Sequence, residues 1–312
     1  MAVNDDLTEA QVEEFFSTLS NWGKWGATDQ LGALNYITPE KRAQAAAGVQ
    51  DGHSVSLSLP LATHPGPDNP TPVMHLMMKT GSPGEESLVP LPYSADYFAI
   101  APHGVANTHL DALCHVFHND KMYNGYPSSD VTVQGALNGA IDAVRNGIVS
   151  RGVLIDIPKL KNRDYLEPGE AISLADLEAA EQAGNFTVGE GDVLFIRTGR
   201  HVRQKAQGTW NALQDGLAGL GAACLPWIHE RKIAVLGCDG VSDVIPSGYD
   251  NLIMPIHSCT LVAMGIHLLD NCMLDDLSEA CTSRSRWTFL LTVAPLVLMK
   301  GTASPVNPIA VF

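Results

Sequence analysis

Three of the chain's eleven histidines and one aspartate fall within a single stretch, His103-Gly-Val-Ala-Asn-Thr-His109-Leu-Asp111-Ala-Leu-Cys-His115. Imidazole nitrogen and carboxylate oxygen together suit a borderline divalent ion such as zinc, manganese or iron. All four residues occupy odd positions, and side chains two apart on a strand share a face, so His103, His109 and Asp111 are expected to converge. His115, four beyond Asp111, stays on that side whether the chain remains extended or turns helical. The neighbours Ala112, Leu113, Val116 and Phe117 are apolar. Polar groups buried among them would lack partners, and a shared cation removes that cost. In the alternative, a structural or interaction protein without metal, each of these side chains would be individually solvated.

The chain that must position them has 312 residues, is 45% hydrophobic and 17% charged, and carries a net charge of −15. It can bury one large core or two modest ones. The acidic balance argues against a nucleic-acid partner, which needs a basic face. Six dispersed cysteines form no Cys-x-x-Cys pair, so reduced, buried thiols are expected rather than a disulfide framework or zinc ribbon. An acidic N-terminus and the lack of an apolar run of roughly 20 residues predict a cytoplasmic protein without membrane association. No Gly-x-Ser-x-Gly motif or activated cysteine suggests a nucleophilic triad.

In chain order, residues 7–20 read as an amphipathic helix. A glycine-punctuated loop follows from Trp22, in which Trp25 either lines a pocket or fills the core. Thr38-Pro39 starts a helix reaching about Val49. Residues 53–60 alternate as a half-buried strand with His53 exposed, and 62–91 form a long excursion with one short strand, suited to a binding loop or a subunit contact. Tyr123 and Tyr126 sit in a turn near the histidine stretch, as substrate contacts or as ordinary turn packing. Helices are expected over 134–146, from Ser173 to about Ala183, over 211–231 with a break near Pro226, and over 260–269; strands over 151–158, 191–198, 232–239 and near the C-terminus. Strands and helices do not alternate regularly, which favours mixed β-sheets with outer helices over a doubly wound parallel sheet. The loop Asp239-Gly-Val-Ser-Asp243 leaves a strand end, where site residues collect.

The run Thr108-His109-x-Asp111-x-x-x-His115 resembles the His-x-Gly-Thr-His-x-Asp-x-Pro-x-His signature of the cyclase family, which groups metal-dependent amide and lactone hydrolases of the kynurenine formamidase and isatin hydrolase type. Three positions depart from it: Val105 stands for the first histidine, Asn107 for Gly and Leu113 for Pro, while His103 lies two residues early. Trp25-Gly-x-x-Asp29-Gln-Leu-Gly32, Gly237-x-Asp239-x-x-Ser242 and Ser304-Pro-Val-Asn-Pro308 are similar to further family segments. The resemblance implies a swivelling β/β/α fold in a single domain, 1–312, with an N-terminal helical and loop extension, as a homodimer or homotetramer. It also implies a second ligand-bearing element, His257 and Asp270, where the family usually has Glu. A helix would hold residues 13 apart some 20 Å from each other. His257 must therefore lie ahead of a bend for both to reach one site.

These readings combine into a metal-dependent hydrolase of a C–N or C–O bond in a small carbonyl compound: a formamide, cyclic amide or lactone. His103, His109, Asp111, His257 and Asp270 are the expected ligands of zinc or manganese, with Asp111 able to bridge two ions. His115 is the expected proton shuttle, and Trp25, Tyr123 and Tyr126 are the substrate contacts. A non-hydrolytic metalloprotein, such as a biosynthetic cyclase, a dehydratase or a binding protein without turnover, is the alternative that Val105 favours.

Overall fold

The computed structural model describes residues 7–83 and 91–312. Residues 84–90 of the long excursion and the first six residues lie outside it.

Among the described residues, nine strands form one mixed sheet. They are β1 (Ser54–Ser56), β2 (His109–Asp111), β3 (Ile148–Asp156), β4 (Val193–Arg197), β5 (Val235–Cys238), β6 (His267–Asp270), β7 (Thr288–Val293), β8 (Ala303–Pro305) and β9 (Ile309–Val311), in the order β1-β9-β7-β3-β4-β5-β6-β2-β8. β3 to β6 run parallel. Their central segments are apolar, as strands buried on both faces require, and Val153 to Ile155 and Val193 to Ile196 are fully buried. β7 instead alternates buried and half-buried positions. The helix starts follow their caps. Thr8 closes a capping box on Glu9–Thr18, Thr38 caps Pro39–Ala47, and Ser173 closes a second box on Leu174–Gly184.

Three expected helices take other forms. Over 134–146 the chain makes a hairpin, Val131–Thr132 with Gly135–Ala136, and a short 3-10 turn, Ile141–Val144. Gly135 (φ +99°) and Gly139 (φ +65°) adopt conformations that break a helix. Over 211–231 two short helices, Ala212–Asp215 and Leu225–Glu230, flank the bridge strand Gly219–Leu220, and Pro226 sits in the first turn of the second helix rather than at a break. Over 260–269 a helical turn, Pro255–Ser258, widens into a π-helical one, Cys259–Met264, and the chain reverses at Gly265 (φ +67°) to return as β6. That run is buried throughout, so its apolar pattern cannot separate helix from strand.

The N-terminal segment secures this reversal. Asn21 donates its backbone N–H to Ala263 O at 2.9 Å and its side-chain amide to Met264 O at 2.9 Å, and Trp22 Nε1 donates to Val262 O at 2.6 Å. Ala33 N–H donates to Gly265 O at 2.7 Å. The approach is close enough that a Cβ on Gly32 (φ +58°) would fall onto the Gly265 carbonyl oxygen. We therefore expect Gly32→Ala to destabilise the protein by about 2–4 kcal/mol, combining left-handed strain with overpacking against backbone. Denaturant unfolding with an unchanged m-value checks this, and a loss below about 1 kcal/mol would refute the close approach.

Candidate metal centre

β2 lies between β6 and β8, and register does the rest. Asp270 of β6 stands directly opposite His109, and Pro305 flanks His109 from β8. His109 and Asp111 share one face of β2, and the cross-strand pair brings Asp270 beside them. His257 enters from the helical turn ahead of the Gly265 reversal. A strand, not a helix, therefore carries Asp270, and the reversal supplies the bend the sequence required, bringing His257 Nε2 to 3.1 Å from Asp270 Oδ2.

His103 is not on a strand; it sits in the loop before β2. Its Nδ1 nevertheless lies 2.9 Å from Asp111 Oδ1, with His109 Nε2 at 3.3 Å from the same oxygen and His257 Nε2 at 3.9 Å from Oδ2. Two overlapping groups result, His103–His109–Asp111 and Asp111–His257–Asp270, each with its ligand atoms within 4.8 Å of one another. Asp111 belongs to both, one oxygen toward each. His115 follows β2 in a turn, and its ring stacks on that of His103 at 3.7 Å.

The donor set fits a divalent cation on a direct observation. Asp111 is 1% exposed, yet both its oxygens, Asp270 Oδ1 and His103 Nδ1 have no aligned hydrogen-bond partner. Ligand atoms gathered around a common point, near in distance but not aimed at one another, are what an ion requires and what hydrogen bonding alone would not produce. Burial of His109, Asp111, His257 and Asp270 also removes the reading in which these groups are separately solvated.

Charge balance points the same way. Burial opposes a charge on His109, but Asp111 more than offsets it and lifts the imidazole to about 9. Burial likewise opposes a charge on His257, while Asp270 and Asp243 on either side of its ring hold it well above the ordinary range. Asp111 is desolvated, but the adjacent His109 keeps its carboxyl well below the usual carboxylate range. His115, dominated by desolvation, is pushed down to about 4 and is neutral.

Several further residues position these side chains. Asp243 accepts the backbone N–H groups of Ile256 (2.7 Å) and His257 (3.0 Å) and faces His257 Nδ1 at 2.7 Å, leaving Nε2 for the centre. Asn107 O, 2.9 Å from His109 Nδ1, does the same for His109. The His103 loop is held by Asn271, whose side-chain amide donates to Gly104 O and Asn107 O. Buried Arg200 donates to Asn271 Oδ1 and to Val105 O, each at 2.7 Å. Thr302 Oγ1 lies 3.0 Å from His103 Nε2. Only the Asp239–Asp243 strand end carried a signal; the other contacts join segments up to 199 residues apart, as His103 and Thr302 are.

A cavity of about 540 Å³ opens over the cluster, lined by its histidines and by Val116, Phe117, Leu213, Ile253 and Met254. Trp25, Tyr123 and Tyr126, the expected substrate contacts, are not among its lining residues. Trp25 packs edge-on against Tyr36. Tyr123 is buried and donates its hydroxyl to Asp29 beneath the Gly265 reversal, and Tyr126 packs on the apolar cluster behind the sheet.

Elemental analysis should find about one or two equivalents of zinc or manganese in the wild-type protein, and metal content should fall to near zero in His109→Ala and Asp111→Ala. Asp243→Asn should weaken affinity roughly 10- to 100-fold while the fold is kept. Because binding displaces protons from His109 and His257, affinity should rise with pH toward about 9, and titration at pH 7 should release protons to the buffer. Full metal retention in both ligand variants would exclude the centre.

Comparison with known proteins places this geometry. The Cyclase family model matches residues 55–243. A crystal structure of a novel cyclase superposes with a TM-score of 0.85 at 32% identity, covering 95% of this chain and 100% of that one. An isatin hydrolase bound to the product analogue thioisatinate superposes at 0.60 with 18% identity, covering 86% and 95%. Isatin hydrolase A from Ralstonia solanacearum gives 0.60 at 19%, covering 87% and 95%. These two share the fold. A search of the curated proteins returns no match. Matched by the family model over more than half its length and by the cyclase structure over nearly all of it, this chain belongs to the Cyclase family.

Proposed function

We propose that the protein is a metal-dependent hydrolase that opens a C–N or C–O bond in a small, neutral carbonyl compound such as a formamide, cyclic amide or lactone. The observation that carries this reading is Asp111, a fully buried carboxylate with no aligned hydrogen-bond partner and imidazoles on both of its oxygens. Family membership and the fold shared with isatin hydrolases support it.

His103, His109, Asp111, His257 and Asp270 would hold one or two zinc or manganese ions, with Asp111 shared. A bound divalent cation supplies Lewis acidity to a water molecule and to the substrate carbonyl. The rest of the work falls to the chain. Asp243 fixes the His257 ring, Thr302 and the Asn271–Arg200 pair fix the His103 loop, and the apolar rim of Phe117, Leu213 and Ile253 excludes water around the reacting group. His115, neutral and at the cavity wall, takes a proton at its imidazole nitrogen as water adds and returns it to the departing nitrogen or oxygen. Among the described residues no lysine or arginine lines the cavity, so it favours an uncharged substrate. The non-hydrolytic reading rested on Val105 at the first-ligand position; with His103 reaching Asp111, that feature no longer favours it.

His115→Ala should lower kcat by roughly 10²- to 10⁴-fold in a panel of formamides, lactones and cyclic imides while metal content stays at the wild-type level. Loss of metal together with activity would make His115 a ligand. A wild-type protein loaded with zinc or manganese that hydrolyses none of the panel would count against the proposed reaction.

A further inference from the structure

Two carboxylates of the N-terminal helix reach beyond their own element to the cavity wall. Glu9 and Glu13 lie four apart on Glu9–Thr18 and so share one face. Glu9 accepts the backbone N–H groups of Asp250 (2.8 Å) and Asn251 (3.1 Å) and the side-chain amide of Asn251 (2.8 Å). Glu13 Oε1 lies 3.0 Å from His118 Nε2, and the ring of Phe16 stacks on that of His118 at 3.6 Å. Asn251 and His118 both line the cavity over the metal cluster, in separate segments of its wall, 251–254 and 115–118. Neither Glu9 nor Glu13 is among the lining residues.

The helix is anchored and the wall it holds is not. Val12 is fully buried, Phe15, Phe16 and Leu19 pack on the same apolar cluster, and Asn21 and Trp22 just beyond are bonded to the carbonyls of residues 262–264. Residues 246–254 form neither helix nor strand. The bonds that fix 250–252 run to side chains: to Glu9, and from Ser247 Oγ to Leu252 O at 2.7 Å. Ile253, beside them on the cavity wall, is 69% exposed. On the other segment, His118 pairs with Lys121 across a tight turn whose central residues, Asn119 and Asp120, are left-handed. The turn sets the His118 backbone, and Glu13 with Phe16 sets its ring.

A cavity of about 540 Å³ is larger than a reacting carbonyl group fills, so the body of a ligand extends from the cluster toward these two segments. Binding against a wall that must first be ordered loses affinity, and a wall ordered in advance keeps it. We propose that the helix Glu9–Thr18 is a specificity clamp, in which Glu9 and Glu13 are positioning residues that preset the 251–254 and 115–118 walls to grip the part of a substrate that extends away from the metal cluster. The neutral carbonyl class of that substrate rests on the proposed function.

Calorimetry on the full-length, metal-loaded protein tests this with acetophenone and 4-acetylbiphenyl, neutral carbonyl compounds that contain no hydrolysable bond and differ in reach. The wild type should bind 4-acetylbiphenyl at least about 10-fold more tightly than acetophenone, and Glu9→Ala/Glu13→Ala should remove that advantage while acetophenone affinity changes less than about twofold. Metal content and circular dichroism should match the wild type. Glu14→Ala, which removes a charge from an exposed position of the same helix, should keep the wild-type ratio. Amide hydrogen exchange over 250–254 should be about 10-fold faster in the double variant. Unchanged exchange, an unchanged ratio, or a wild type that does not distinguish the two ketones would overturn the clamp. Equal loss of affinity for both ketones would also overturn it, by reducing the contacts to general support of the fold. A wild type that shows the ratio but hydrolyses none of the amides and lactones keeps the clamp and loses the proposed reaction; one that hydrolyses them without the ratio does the reverse.

Discussion

The structure turns on a carboxylate that is buried and has no aligned hydrogen bond. An isolated charge in an interior costs several kcal/mol after relaxation, and removing one partner from a buried pair is strongly destabilising. Asp111 is tolerable only because imidazoles crowd both of its oxygens, carrying protons or sharing a cation. The polar residues around it can be understood from that constraint. Asp243 orients the His257 ring, Asn107 O pairs with His109 Nδ1, and Thr302 pairs with His103. Each contact occupies the imidazole nitrogen that faces away from the centre.

Geometry explains how much of this the sequence revealed. His109 and Asp111 were legible because period-two alternation needs only one short strand, and three residues proved sufficient. His103 reached the expected partner by another route, since residues 103–108 are a loop pinned by Asn271 and Arg200 rather than an extension of β2. Between His257 and Asp270 the sequence predicts a helix, with a bend ahead of it. The apolar run between them is buried on every side, and such a run has no polar face to reveal its period. Gly265, with its left-handed backbone and the Gly32 contact, is where the chain turns back.

Trp25, Tyr123 and Tyr126 stand apart from the cavity. Tyr123 and Tyr126 are close to the histidine stretch in sequence, but Tyr123 packs beneath the reversal, and Trp25 of the N-terminal loop packs on Tyr36. Beyond Val116 and Phe117, next to the motif, the cavity wall comes from Leu213, Ile253 and Met254, 98 or more residues past the motif's last histidine by number. A site assembled from four separated segments shows its ligands through residue chemistry. Its apolar wall carries no such mark in the sequence.

The same composition bears on turnover under the proposed reaction. A neutral amide or lactone becomes a carboxylate on hydrolysis, so the product carries a charge that the substrate lacks. Among the described residues no lysine or arginine lines the cavity, so its charged groups are the Asp111 and Asp270 carboxylates and the imidazoles that neutralise them. A cavity without a flexible cationic side chain thus admits an uncharged substrate by apolar contact, and a carboxylate product would rely on the imidazoles or on a bound cation.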